Sequence, residues 1–201
     1  MIKYFFQFIL IHYSILALDL RKIESFTNWK NLQKGTITVD WCNYEGYPVS
    51  RAETILNHPM AMVAKAVEDV DQYPKIFNRV TKTNRLEKDV VQIVLDMPFP
   101  FDGRDYIVNY KIKNSANEYT LVFSAIEHPL GKLDPNHVRL PNAAGIWILK
   151  KLNENQTKII YGWNGELLGN FPDFGLTKAW VMQGTEVLNW LDEALNKRKN
   201  S

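Results

Sequence analysis

The chain has 201 residues, 46% of them hydrophobic and 23% charged, which is typical of one folded domain and not of a disordered segment. The net charge is only +2, and the sequence has no basic stripe with interleaved aromatic residues, which argues against a nucleic-acid partner. Six tryptophans, nine tyrosines and ten phenylalanines could fill a core or line an apolar pocket, and composition leaves both open.

The N-terminal residues are predicted to stand apart from the folded domain. Lys3 precedes an apolar run over 4–18, which is short for a helix that spans a bilayer. A positive charge, a short apolar stretch and Ala17 as a cleavage residue favour a secretory signal, with an uncleaved anchor or a buried first helix as alternatives. We therefore assign 1–18 as a signal peptide or N-terminal hydrophobic segment and 19–201 as a single domain.

The same segment predicts where the protein acts. Export, to a periplasm or to the outside of the cell, is the expected location, and membrane anchoring or a cytoplasmic location are the alternatives. Cys42 is the only cysteine, so an internal disulfide cannot form, and one thiol is compatible with an oxidising compartment. We expect Cys42 to be a small buried filler.

The domain begins with a pattern that predicts a helix over 19–32. Asp19 is the candidate cap, and Leu20, Ile23 and Phe26 share one face. The elements that follow are strands over 36–42 and 49–57, a helix over 59–70 and a short turn of helix over 75–78.

A run of antiparallel strands comes next, interrupted by one long loop over 127–142. The strands are predicted over 79–88, 90–97, 104–113, 118–126, 144–152 and 157–168. Loops as long as 127–142 are usually functional or mobile. The chain ends in a predicted amphipathic helix over 174–197, whose apolar stripe comprises Leu176, Trp180, Gly184, Val187, Leu188, Leu191 and Leu195.

This order of elements predicts an α+β helix-grip fold. A curved antiparallel sheet of seven to nine strands must cover its apolar face, and only the final helix, at about 35 Å, is long enough to do so. A curved sheet wrapped around one long helix can enclose an internal cavity that side chains do not fill.

Four segments carry a resemblance to a known family. In chain order they are 69–74 with Ile76, Gly103-Arg104-Asp105-Tyr106-Ile107-Val108, Ala144-Gly145-Ile146-Trp147-Ile148-Leu149 and Gly165-Glu166-Leu167-Leu168-Gly169-Asn170-Phe171-Pro172. With them, the chain over 36–195 resembles the START lipid-transfer domains of the Bet v 1-like (SRPBCC) helix-grip superfamily. The resemblance implies binding, and transfer, of a hydrophobic small molecule such as a lipid in the cavity. It also implies that the loop 127–142 and the last helix form a lid.

Eight side chains are the candidates to contact such a ligand. They are Arg104, Tyr106, Tyr110, Phe123, Trp147, Tyr161, Trp163 and Trp180. Plain core packing is the alternative for each aromatic ring, and a structural role at the strand entrance is favoured for Arg104. The sterol carriers of this family have a cavity arginine six residues after the motif arginine, where this chain has Tyr110. A tyrosine hydroxyl there could still bind a polar head, and Trp147 and Trp163 are expected to face each other across neighbouring strands.

The sequence offers little for catalysis. It has no nucleophile elbow, phosphate-binding glycine loop or dinucleotide fingerprint, and its four histidines lack metal-ligand spacing, so we predict no metal and no cofactor. His128 and His137, at the loop 127–142, are candidate acids or bases, although surface histidines are commoner.

Two functions other than lipid binding remain open. One is an enzyme of the polyketide cyclase or aromatase kind, with Arg104, Tyr106, Asn109 and Tyr110 as its polar groups. The other is an interaction domain with a filled core. We expect a monomer. Phe99, Phe101, Phe171 and Phe174 are candidates for transient membrane contact, although rings of this kind more often tuck under their own loop.

Overall fold

The computed structural model describes residues 18–199. The signal-peptide and export predictions fall on residues outside this range, except for Leu18, and stay predictions. Leu18 is buried and belongs to an apolar cluster with Leu20 and Ile23.

Ten strands and three α-helices make up the described part of the chain. The strands are β1 Lys30–Gln33, β2 Thr38–Tyr44, β3 Tyr47–Leu56, β4 Val80–Glu87, β5 Val90–Leu95, β6 Gly103–Asn114, β7 Glu118–Ala125, β8 His137–Arg139, β9 Ala144–Asn153 and β10 Gln156–Asn164. The helices are α1 Met60–Glu68, α2 Tyr73–Ile76 and α3 Leu176–Lys199. Short 3-10 helices cover Leu20–Ser25, Val70–Gln72 and Asp173–Gly175.

All ten strands form one curved sheet in the order β1-β2-β3-β10-β9-β7-β6-β5-β4. Neighbours along this path are antiparallel, whereas β8 pairs with β6 in parallel through Gly103 and His137. The predicted helix-grip fold, with α3 packed against the sheet, is confirmed. The sheet has more strands than predicted, because β1 and β8 are too short to show a pattern of alternation.

The two faces of the sheet bury separate apolar clusters. The inner face, where Val39, Leu149 and Ile159 are fully buried, packs against α1 and α3. The outer face is covered by the segment that contains Leu20 and Ile23. Two-sided burial explains why β9 and β10 read as nearly continuous apolar runs.

The predicted helix over 19–32 is wrong in length and type. Asp19 does cap it, since its carboxylate accepts a hydrogen bond from the Arg21 backbone N–H, but the helix is a 3-10 helix that ends at Ser25. A spacing of three residues between Leu20, Ile23 and Phe26 suits the three-residue turn of a 3-10 helix. Asn28 then takes a φ of 61°, a left-handed conformation that redirects the chain into β1.

Gly184 lets α3 approach the sheet closely. A Cβ at this position would lie 2.8 Å from Ala52 Cβ and 3.1 Å from the Trp163 ring. The buried face of α3, through Leu188, Leu191 and Leu195, is thereby set against the strands. The neighbouring face of α3 is left to border the pocket described next.

Candidate ligand-binding pocket

A pocket of about 440 Å³ lies between the inner face of the sheet and α3. Its walls are mostly apolar and come from β5, β6, β7, β9, β10, α2 and α3. Representative lining residues are Ile93, Val108, Phe123, Trp147, Val187 and Trp190. Pockets of this size and character commonly hold one small-molecule ligand.

Seven of the eight predicted site residues line this pocket. They are Arg104, Tyr106, Tyr110, Phe123, Trp147, Tyr161 and Trp163. Alternation along the strands explains the success, because residues two apart on a strand project from the same face. That these residues contact a ligand stays a prediction.

Trp180 is not among the residues that line the pocket, and its contact with a ligand stays a prediction. Its indole N–H donates to the Gly165 carbonyl at 2.8 Å, and its ring packs on Trp41 with ring centres 5.2 Å apart. The residue lies on the buried face of α3, and this face is set into the core beside the pocket.

Three aromatic rings form a stacked row along one wall. The ring centres of Trp147 and Tyr161 lie 4.3 Å apart, and those of Tyr161 and Trp163 lie 4.9 Å apart. Trp147 and Tyr161 are direct cross-strand partners between β9 and β10, so Tyr161 lies between the two tryptophans. The expected face-to-face contact of Trp147 with Trp163 is therefore replaced by a contact of each with Tyr161.

Arg104 is buried at the pocket wall, with 1% of its surface exposed, and its guanidinium is occupied by backbone carbonyls. Its Nε donates to the Leu167 carbonyl, its Nη2 to the Leu168 carbonyl at 3.0 Å, and its Nη1 to the Asp102 carbonyl at 2.5 Å. Burial lowers the pKa of this guanidinium. Arg104 thus joins the chain before β6 to the chain before α3, and it makes no pair with Asp105.

The Tyr110 hydroxyl is engaged away from the pocket. It accepts a hydrogen bond from Arg85 Nη1 at 2.8 Å and donates to the Lys88 carbonyl at 3.2 Å, at the β4–β5 hairpin. The Tyr110 ring borders the pocket, but its hydroxyl could bind the polar head of a ligand only by giving up these partners.

Tyr106 and Tyr161 keep their hydroxyls near the pocket. Tyr106 has no hydrogen-bond partner among the side chains and backbone of residues 18–199, and Tyr161 has only Gln183 Nε2, at 3.5 Å. Burial raises the pKa of Tyr106 well above its usual range and raises the pKa of Tyr161 to about 12. Both phenols are therefore neutral at physiological pH and can donate a hydrogen bond.

An ion pair at the pocket ties the start of β4 to α3. Arg79 Nε lies 2.7 Å from one oxygen of Glu186, and Arg79 Nη2 lies 2.8 Å from the other. Sequence reasoning missed both residues. Gln183, Glu186 and Trp190 recur at three- and four-residue intervals beside the predicted apolar stripe, so a second helical stripe was the available signal.

The loop 127–142 is fastened to the sheet by buried polar groups. Asp105 pairs with Arg139 and accepts a hydrogen bond from Gln92 Nε2 at 2.6 Å, and the same Gln92 nitrogen donates to the Lys132 carbonyl at 2.7 Å. Of this loop, Leu140 and Asn142 line the pocket. His128 and His137 do not line it; they lie beside Glu87 and the Pro135 carbonyl respectively.

The mouth of the pocket has the predicted phenylalanines around it. Phe101 and Phe171 pack with ring centres 4.6 Å apart and line the pocket. Phe174, also a lining residue, is 90% exposed, and Phe99 on the neighbouring loop is 97% exposed. Two rings thus tuck into the mouth and two project into solvent.

Metal binding and membrane spanning are two further roles that residues 18–199 could have. No group of three or more histidine, cysteine or acidic side chains in this range could hold a metal ion. None of the helices in the same range is both long and apolar enough to cross a bilayer.

The fold was compared with solved structures. Neither a family model nor a curated protein matches the sequence. Human StAR-related lipid transfer protein 5 matches with a TM-score of 0.78 at 17% identity, over 89% of this chain and 91% of that chain. A STAR-related lipid transfer protein from Xanthomonas axonopodis matches with a TM-score of 0.71 at 20% identity, over 84% of this chain and 98% of that chain.

The chain has the START-type helix-grip fold. Its neighbours also include an enzyme, the Zhui aromatase/cyclase from Streptomyces, with a TM-score of 0.55 at 15% identity over 75% of this chain and 94% of that chain. A START-type fold therefore accompanies both lipid transfer and ring chemistry in other proteins, and the choice of function depends on the pocket itself.

Proposed function

We propose that this protein binds a hydrophobic small molecule, a lipid, in the pocket between the sheet and α3. The observation that carries the proposal is the apolar pocket of about 440 Å³, which the START-type core leaves unfilled. The lipid transfer proteins from human and Xanthomonas axonopodis that share this fold support it. An unfilled pocket argues against the alternative of an interaction domain with a filled core.

Apolar burial alone supplies enough affinity for this role. Each methylene moved from water to such walls contributes about 0.8 kcal/mol, so a chain of a dozen contributes about 10 kcal/mol before the costs of binding. The stacked row of Trp147, Tyr161 and Trp163 is part of the apolar wall available for that contact.

Filling the pocket tests the proposal. Val187 lies on α3 at the pocket wall, and Val187→Trp should occupy the space and abolish ligand capture. The wild type, incubated with vesicles of mixed lipids and repurified, should carry a lipid in native mass spectrometry, and the variant should not. Thr177→Trp, an exposed position on the same helix outside the pocket wall, is the matched control and should retain capture.

A wild type that stays empty against a broad lipid panel, or a Val187→Trp protein that captures lipid as well as the wild type, would contradict the proposal. Circular dichroism of both variants checks that the fold is kept. Native mass spectrometry also tests the predicted monomer.

Exchange with a membrane is the second part of the proposal. Phe99 and Phe174 project from the mouth, and exposed aromatic rings at the mouth suit insertion into a lipid interface. Phe99→Glu with Phe174→Glu should slow lipid uptake from vesicles about tenfold or more, because carboxylates resist entry into the interface. Uptake of a fluorescent lipid from quenched vesicles measures the rate.

The matched control is Ile55→Glu with Leu152→Glu. These side chains are similarly apolar and about half exposed, at 54% and 49%, but lie outside the pocket lining. Equal uptake rates for the two double variants would count against membrane contact at the mouth.

The cyclase or aromatase alternative lacks a supporting observation. Of its four candidate polar residues, Arg104 is held by carbonyls, Tyr110 by Arg85, and Asn109 by the Asp89 carbonyl at 3.2 Å. Only the Tyr106 hydroxyl is unengaged at the pocket, and one hydroxyl does not make a converging set.

A further inference from the structure

The charges around the pocket decide which polar groups a ligand can carry inside. Arg104 is satisfied by backbone carbonyls, and Arg79 is paired through both of its contacting nitrogens with Glu186. Glu166 is held by amides of Asn142 and Asn164, at 3.2 and 3.3 Å. An anionic ligand group brought inside would lose its hydration without gaining a free cationic partner, which is costly.

Lys178 is the remaining charged residue of the lining, and it is exposed. It can therefore meet a charged group only at the mouth, where water screens the interaction. The lining of the pocket therefore offers an anionic ligand group no free cation away from the mouth.

Two neutral hydroxyls belong to the lining. The Tyr106 hydroxyl has no partner within residues 18–199, and Tyr161 has only a contact at the 3.5 Å limit with Gln183. Tyr106, Tyr161 and Gln183 all line the same pocket. The two tyrosines project from β6 and β10, on walls that are otherwise largely apolar.

We propose that the Tyr106 and Tyr161 hydroxyls form an uncharged hydrogen-bonding site for one oxygen of the ligand, so that the pocket selects a compact neutral lipid with a hydroxyl or carbonyl group and excludes an anionic headgroup. This inference rests on the proposed lipid-binding function and adds its ligand class. A volume of about 440 Å³ fits one compact ligand. A hydrogen bond from an unengaged phenol would orient that ligand, with its oxygen toward the phenol and its apolar part against the wall.

The test is a competition among ligands of equal chain length. Phosphatidylcholine vesicles carry equimolar dodecane, dodecanol, 2-dodecanone and dodecanoate at pH 8.5. The full chain is incubated with them and reisolated, and the bound molecules are quantified by gas chromatography with mass detection. Tyr106→Phe is compared with the wild type, and Tyr119→Phe, a buried tyrosine outside the lining, is the matched control.

We expect the wild type to retain dodecanol and 2-dodecanone about fivefold over dodecane, the factor typical of one hydrogen bond, and more than tenfold over dodecanoate. Tyr106→Phe should reduce the preference over dodecane, because Tyr161 is then the one phenol left in the site, without reducing dodecane retention, and Tyr119→Phe should change neither. Retention of dodecanoate equal to that of dodecanol would overturn the inference, and so would an unchanged preference in Tyr106→Phe. If no probe is retained at all, dodecane included, the proposed function fails with it.

Discussion

Arg104 joins two loops through backbone carbonyls alone. The sequence motif made it a ligand candidate, and strand alternation correctly separated it from Asp105. Its hydrogen bonds to Leu167 and Leu168 were beyond prediction, because they join residues more than sixty positions apart in sequence. A buried arginine is tolerated when its N–H groups are satisfied, and here they are satisfied by chain segments that border the pocket.

Replacing this arginine should destabilise the fold. Arg104→Leu leaves the carbonyls of Asp102, Leu167 and Leu168 without a buried donor, so we expect the free energy of unfolding to fall by about 3 kcal/mol. Urea denaturation followed by tryptophan fluorescence measures the change. The control Arg198→Leu, exposed near the end of α3, should cost less than about 1 kcal/mol. Equal midpoints for the two variants would refute a structural role for Arg104.

At the scale of elements, periodicity recovered the long strands and the last helix within a few residues. Periodicity failed for the elements that are too short to show a repeat, the 3-10 helix Leu20–Ser25 and strand β1. Periodicity also predicted one apolar stripe on α3, whereas two faces of this helix are used in the structure. The predicted stripe includes Trp180 on the core face, but Glu186 on the pocket face was missed. The distance between α3 and the sheet depends on the missing side chain of Gly184. Periodicity places Gly184 on the apolar stripe but does not indicate this close approach.

Gly184 therefore supports a prediction about how α3 meets the sheet. In Gly184→Val the added atoms would meet Ala52 and Trp163, and overpacking of this kind costs about 1–3 kcal/mol. We expect a net loss of stability, although valine is the better helix former. Thermal unfolding measures it, and Asn189→Val at an exposed position of α3 should shift stability by no more than about 0.5 kcal/mol. A Gly184→Val protein as stable as the wild type would show that the helix has room to move outward.

For the whole molecule, the pocket concentrates neutral tyrosines and so makes stability depend on alkaline pH. Burial raises the pKa of Tyr161 to about 12 and raises those of Tyr73 and Tyr106 well above their usual range. Tyrosine side chains of the unfolded chain ionise near pH 10. Above that pH, the folded state therefore holds phenol protons that the unfolded state has lost. The contribution of these tyrosines to the free energy of unfolding is fully present below about pH 10 and is lost as the pH rises toward their pKa values in the folded state.

Each such tyrosine should contribute up to about 1.4 kcal/mol per pH unit to this decline. Urea denaturation at intervals between pH 8 and 11.5 measures the slope, and Tyr161→Phe should make it shallower than in the wild type. A slope that is the same in both proteins would show that Tyr161 ionises freely in the folded state.

The sheet is open, with β1 at one margin and β4 at the other. An exposed margin presents backbone N–H and C=O groups that another chain could pair with, which is a route to fibrils. Here the ladder is irregular at both margins, between Asn31 and Gln33 in β1 and at two places in β4, and Lys82 and Arg85 project from β4. Such kinks and cations hinder the addition of a foreign strand. The fold can therefore keep its sheet open around the pocket without promoting association between sheets of different molecules.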